Sequence, residues 1–168
     1  MNKSFWKVAL MGIGTLLLVS ACSKETVEPV EINSETDTCA NCNMSVADDQ
    51  HSTEIILTNG KTVIFDDIGC MFKWVDANED KEINKSFVRD YYSNEWIDVE
   101  ESYFVYGETI KTPMSFHVVS FKDQSSAEDF AMESEGELLS YKDLQKHEWT
   151  QHNEMGHEET DNHGHSEM

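Results

Sequence analysis

Through the middle of the chain, apolar and polar positions alternate in short runs. Residues 54–58 (EIILT) and 62–66 (TVIFD) are rich in β-branched and aromatic side chains. Asn59-Gly60 lies between them and accepts the left-handed backbone of a tight hairpin. The pattern then changes period. Ile68, Met71, Phe72 and Val75 recur at helical spacing behind Asp66 and Asp67, two N-cap candidates, which predicts a helix over 68–77. Short strands are predicted at 86–92 and 96–99. A second series follows: strands at 103–106 and 116–121, and a helix at 126–134 with cap chemistry from Asp123 to Ser126. A short strand around Leu138 and Leu139 comes next. A last helix at 141–149 opens on Ser140 and Asp143, the ends of a capping box.

Hairpin, helix and strand therefore appear twice. The expected fold is α+β, built of two ββαβ-type halves. The segments IFDDIGCMFKW and SFKDQSSAEDF share a strand-end Phe (Phe65, Phe121) and an Asp two residues later (Asp67, Asp123). That points to an internal duplication, with a chance match as the competing reading.

The ends of the chain read differently. Lys3 and Lys7 precede an apolar stretch at 8–19, of signal-peptide length and too short to span a bilayer comfortably. Val19-Ser20-Ala21-Cys22 then looks like a lipobox, with Val19 where Leu is usual. Residues 1–21 are read as a lipoprotein signal peptide. Residues 22–38 are read as a polar tether lipidated at Cys22, for example with palmitate, which holds residues 39–149 at the extracytoplasmic face of a membrane. A plain secretory signal is the alternative. Each buried lipid methylene contributes about 0.8 kcal/mol, so two or more chains give a stable anchor. Residues 150–168 form a His- and Glu-rich tail with little to bury. His147, His152, His157, His163 and His165 cluster around it. Their imidazoles suit weak capture of Cu(II), Zn or Ni.

Charge narrows the partners. The formal net charge is −21, with 33 acidic against 12 basic residues. Phosphate binding needs clustered Lys and Arg, so nucleic acid is not expected. No glycine-rich phosphate loop, nucleophile-elbow serine or zinc-protease helix motif is present. A binding protein is expected rather than an enzyme.

The chemistry centres on Cys39-Ala40-Asn41-Cys42-Asn43-Met44. Two thiols and a thioether within six residues favour a soft ion, Cu(I) above all. The cysteine pair alone also suits a disulfide, a redox dithiol or zinc. Zinc sites rarely use thioether sulfur, and a zinc ribbon needs a second cysteine pair where this chain offers only Cys70. A thioredoxin-like pair belongs after a strand at a helix N-terminus, whereas this one precedes the first strand. Cys70 stands between ligand and core packing, and Met71 reads as core. Met114, after Pro113, is either a distant third sulfur or loop packing. His117, placed on the strand at 116–121, reads first as structural.

These features together resemble the NosL family of copper-binding accessory lipoproteins for nitrous oxide reductase. The resemblance rests on the lipobox, Cys39-x-x-Cys42-x-Met44, the Asn59-Gly60-Lys61 hairpin, Phe65-Asp66-Asp67-x-Gly69-Cys70-Met71-Phe72 and Thr112-Pro113-Met114. It implies an extracytoplasmic Cu(I) chaperone with no turnover, acting in denitrification. Its partners would be nitrous oxide reductase and that enzyme's membrane assembly proteins. It implies a metal site at Cys42 and Met44, with Met114 as remote sulfur and Cys39 assisting. It also implies some likeness in fold to organomercurial lyase, whose chemistry needs cysteines and an acid at one site. No such cluster is visible in the sequence. Asn43 and Ser115 stand where the family usually has glycine, and the long histidine tail is not a general family feature. Two functions from other classes compete. One is a surface thiol-disulfide oxidoreductase using Cys39 and Cys42, and the other a copper or nickel scavenger acting through the tail.

Overall fold

A computed structural model describes residues 27–150. The signal peptide, Cys22 and the tail beyond Thr150 lie outside the described residues. Among the described residues, no helix is long and apolar enough to cross a membrane.

The first half comprises strands β1 (Thr53–Leu57) and β2 (Thr62–Phe65), helix α1 (Ile68–Ala77), and strands β3 (Ile83–Arg89) and β4 (Trp96–Asp98). One 3-10 turn, Val99–Glu101, leads into the second half. That half holds β5 (Tyr103–Tyr106), β6 (Val118–Phe121), α2 (Gln124–Ser134), β7 (Glu137–Leu139) and the short α3 (Tyr141–Leu144). The strand orders are β2-β1-β3-β4 and β6-β5-β7, and every pairing is antiparallel. In each half the first strand is central, between its hairpin partner and the strand after the helix. The registers also correspond: Thr53 opposes Phe65, and Tyr103 opposes Phe121. The paired Phe and Asp positions seen in the sequence thus mark the same corner of two ββαβ units, and the α+β expectation holds.

A single apolar cluster joins the halves. Ile55, Phe65 and Val88 pack with Phe104, Phe116, Val118, Leu139 and Leu144, all buried. Full burial of each such side chain contributes roughly 1.5–3 kcal/mol. A smaller cluster of Val105, Val119, Phe121, Ala127 and Ala131 lies under α2.

The departures from expectation have local causes. β3 ends at Arg89 because the Asp90 carboxylate accepts from the N–H groups of Tyr92 (3.2 Å) and Ser93 (2.8 Å) and turns the chain. Tyr91 and Tyr92 then leave the sheet and pack on Phe121 and Phe130. β6 starts only at Val118, because His117 has φ 61° and is not on a strand. α2 starts at Gln124, two residues early, behind an Asp123 whose side chain makes no cap bond. The Ser140–Asp143 capping box forms as expected, yet α3 stops at Leu144.

The segment read as tether is partly packed. Ile32 is buried, and the Val30 N–H donates to both carboxylate oxygens of Glu54, at 3.0 and 3.2 Å. Glu54 is fully buried, and burial pushes its pKa up to about 7, against the pull of the Val30 N–H and the Arg89 charge. The native state therefore keeps a proton that the unfolded chain releases near 4.5. This contribution to stability is complete below that value and is lost as pH rises through about 7. It amounts to about 3 kcal/mol at most. Urea midpoints of the wild type and Glu54→Gln, compared at pH 5 and pH 8, should show the wild type losing ground to the variant at the higher pH. Parallel behaviour of the two proteins would remove Glu54 as the cause.

Candidate metal centre

The cysteine loop is closed on itself and pinned to the sheet. The Cys39 N–H donates to the Met44 carbonyl (2.8 Å), and the Asn43 N–H donates to the Cys39 carbonyl (2.9 Å). Thr38 and Ser45 pair below the loop. The Ala40 N–H donates to the Ile64 carbonyl (3.0 Å), which sets the loop against the end of β2, just before Asp66. Asp67 then caps α1, its Oδ1 accepting from the Gly69 N–H at 3.0 Å. Cys70 follows in the first helical turn.

These three placements bring four donors together. The Sγ atoms of Cys39, Cys42 and Cys70 and a carboxylate oxygen of Asp66 all lie within 4.8 Å of one another. The Cys42 thiol donates to Asp66 Oδ2 at 3.2 Å. Asp66 Oδ1 is buried and has no hydrogen-bond partner among the described residues. Cys39 and Cys70 are fully buried and Cys42 is partly exposed, so the cluster opens outward at Cys42. All three are free thiols.

The thiols are electrostatically unequal. Cys39 is drawn down to about 6, chiefly because Cys70 hydrogen-bonds to its thiolate, and this outweighs burial. The same bond, helped by burial, raises Cys70 strongly. Burial pushes Cys42 up to about 12, with the Met44 N–H pulling down and Asp66 pushing up. Of the three, Cys39 is the thiol most readily deprotonated. Three soft donors around an unsatisfied carboxylate oxygen suit a thiophilic cation, whose charge would draw protons from the remaining thiols.

Of the sequence-predicted ligands, Cys39 and Cys42 lie in the cluster. Met44, at the loop's exit, is 54% exposed. Met114 is half-buried against the same core as Cys39 and Cys70. Its backbone N–H donates to Asp67 Oδ2 at 3.0 Å, tying the 112–117 loop to the cap of α1. Met71 is buried core, as expected. The His117 ring nitrogen Nδ1 sits 2.6 Å from the Ile110 carbonyl oxygen. Asn43 and Ser115, the two glycine replacements, have φ 61° and 56°. Both loops therefore keep the left-handed turn a glycine would adopt freely; Asn tolerates it more readily than Ser.

Sequence reasoning gave Asp66 only a capping role and left Cys70 between ligand and packing. It also found no acid converging with the cysteines, which the fold corrects. The available signal was Phe65-Asp66-Asp67-x-Gly69-Cys70. An N-cap at Asp67 places Cys70 on the first turn, beside the residue that ends β2.

The family model for NosL matches residues 29–149. Its bounds coincide with the packed Val30 segment and with Trp149, which stacks on Phe72. Among solved structures, the crystal structure of the copper chaperone NosL from Shewanella denitrificans aligns with a TM-score of 0.61 and 19% identity. The alignment covers 68% of this chain and 93% of that one. A likeness at this identity speaks for the fold. A search of curated proteins finds no match.

Proposed function

The chain belongs to the NosL family, and from that premise we propose that it is a Cu(I) metallochaperone held at the extracytoplasmic face by lipid on Cys22. It binds copper and passes it on without turnover. The recipient the family implies is nitrous oxide reductase, reached with the membrane proteins that assemble its copper centres. The observation that carries this reading is the cluster of three thiols and one carboxylate, open at Cys42. Cys39 and Cys70 would hold the ion from within, and Cys42 would be the ligand that an incoming donor displaces. Met44 and Met114 are proposed as additional thioether donors.

The dithiol-enzyme reading fits less well. A reductase needs an exposed thiol of lowered pKa. Here the lowered thiol, Cys39, is fully buried, and the partly exposed one, Cys42, is raised to about 12. One observation favours a second reading, a zinc site: four donors are close enough for a closed tetrahedral set.

The test is an anaerobic titration of the reduced mature chain with Cu(I) and separately with Zn(II), each against a competing chelator, with X-ray absorption of the loaded protein. One tight Cu(I) site with a sulfur shell, transferable to the copper-free recipient, is expected. Tight zinc that Cu(I) cannot displace would overturn the chaperone reading. The anchor has its own readout: Cys22→Ser should move the protein from the membrane fraction to the soluble one.

A further inference from the structure

Beside Asp66 lies a second carboxyl group whose bonding the helix cap alone does not explain. Asp67 is 1% exposed, and its two oxygens serve two distant parts of the chain. Oδ1 accepts from the Gly69 N–H at 3.0 Å, in the turn of α1 that carries Cys70. Oδ2 accepts from the Met114 N–H at 3.0 Å, across 47 residues of sequence. The Thr112 hydroxyl is hydrogen-bonded to the same group. Thr112 also closes the loop. Its hydroxyl oxygen accepts from the N–H groups of Phe116 (3.1 Å) and His117 (3.3 Å), and its carbonyl from the Ser115 N–H (3.1 Å). Ser115 and His117 hold φ 56° and 61°, a left-handed backbone that non-glycine residues keep only where their surroundings impose it.

The second ββαβ unit supplies an internal control. Asp123 stands directly before α2 as Asp67 stands directly before α1. It is exposed and its side chain makes no cap bond, yet α2 forms. This corner of the fold therefore does not require a buried Asp. Burying a carboxyl group is costly unless it is hydrogen-bonded, and at Asp67 the bonds go to the Cys70 turn and to the Met114 loop.

We propose that Asp67 is a positioning residue for copper: it fixes the Met114 loop to the Cys70 turn, so that the Met114 thioether is held ready beside the thiols as an additional donor. The inference rests on the chaperone reading and deepens it. A thioether carries no charge, so it adds to affinity mainly where it is already in place and its ordering is not a cost of binding. The Met114 backbone is pinned by Asp67, and its side chain is half-buried against the core that includes Cys39 and Cys70.

The experiment is a double-mutant cycle on the full mature chain, reduced and anaerobic, with Cu(I) affinity read by competition with bicinchoninate. The variants are Asp67→Asn, Met114→Leu and the pair. Asparagine keeps one oxygen to cap α1 and turns an amide donor towards the Met114 N–H. Removing a group that orients a metal ligand typically costs about 10–100-fold in affinity, so each single variant should weaken Cu(I) binding about tenfold. The double variant should be no weaker than Met114→Leu alone, because Asp67 then has no donor left to place. Where Asp67→Asn does not fold, Asp67→Ser takes its place: serine is as good an N-cap for the Gly69 N–H, but its single oxygen cannot hold the Met114 N–H as well. Losses that multiply in the double variant would make Asp67 a structural residue and overturn the inference. So would wild-type affinity in Asp67→Asn or in Met114→Leu, and either result leaves the thiol site and the chaperone reading standing. No tight Cu(I) site in the wild type would remove the chaperone reading and the inference together.

Discussion

Serine at position 70 should lower Cu(I) affinity by two to three orders of magnitude while the domain stays folded. Cys70 is one of three thiols in the cluster, fully buried and hydrogen-bonded to Cys39. Structural zinc in zinc-finger peptides binds with an apparent energy of about 10–16 kcal/mol, and on that scale one ligand of four is worth about 2.5–4 kcal/mol. That is a factor of about one hundred to one thousand in Kd. Serine keeps the volume approximately and can still donate to Cys39, so the fold should lose little. Cys42→Ser should be at least as damaging, because it also removes the partly exposed thiol proposed as the exchange ligand. Met44→Leu should weaken binding by less, since that side chain is more than half exposed and a thioether carries no charge. The chelator-competition titration separates the cases. If Cys70→Ser bound Cu(I) as tightly as the wild type, Cys70 would be a packing residue and the ligand set would shrink to the 39–44 loop.

The sequence made some of this site legible and hid the rest. The cysteine pair was visible because its members are three residues apart. The hairpin and α1 were visible because Asn59-Gly60, the Asp67 cap and the 68-71-72-75 stripe are local signals, and α1 spans the expected Ile68–Ala77. The place of Cys70 and Asp66 in the cluster was hidden because their meeting with the loop depends on a long-range contact, Ala40 N–H to the Ile64 carbonyl. A buried Cys next to a buried Met on a helix also looks like packing until its partners are known. The end of β3 is hard to place from sequence because Phe87, Val88, Tyr91 and Tyr92 are all strand-formers and only Arg89 and Asp90 interrupt them. What ends it is the Asp90 carboxylate capturing two backbone N–H groups. His117 was assigned to a strand for the same reason: alternation carries no sign of a positive φ.

Alanine at position 69 should destabilise the protein by roughly 2 kcal/mol or more and weaken copper binding with it. Gly69 is helical, so alanine alone would favour α1 by up to about 1 kcal/mol. A Cβ there, however, falls within the ring of Phe116. Phe116 has little room to give way: it is 2% exposed, lies against Trp149, and its N–H is held by the Thr112 hydroxyl at 3.1 Å. Overpacking a closed site costs about 1–3 kcal/mol, occasionally more, and here it exceeds the helical gain. For a domain this size the loss should lower the thermal midpoint by roughly 5–15 °C. The disturbance also reaches the thiol cluster, because Gly69 adjoins Cys70 and its N–H is the one Asp67 accepts in capping the helix. Pairing Gly69→Ala with Phe116→Leu should recover part of the stability, with a coupling of about 0.5–3 kcal/mol between contacting sites. A Gly69→Ala protein as stable as the wild type, or more so, would mean that helix propensity decides the position. Phe116 would then have no part in positioning Cys70.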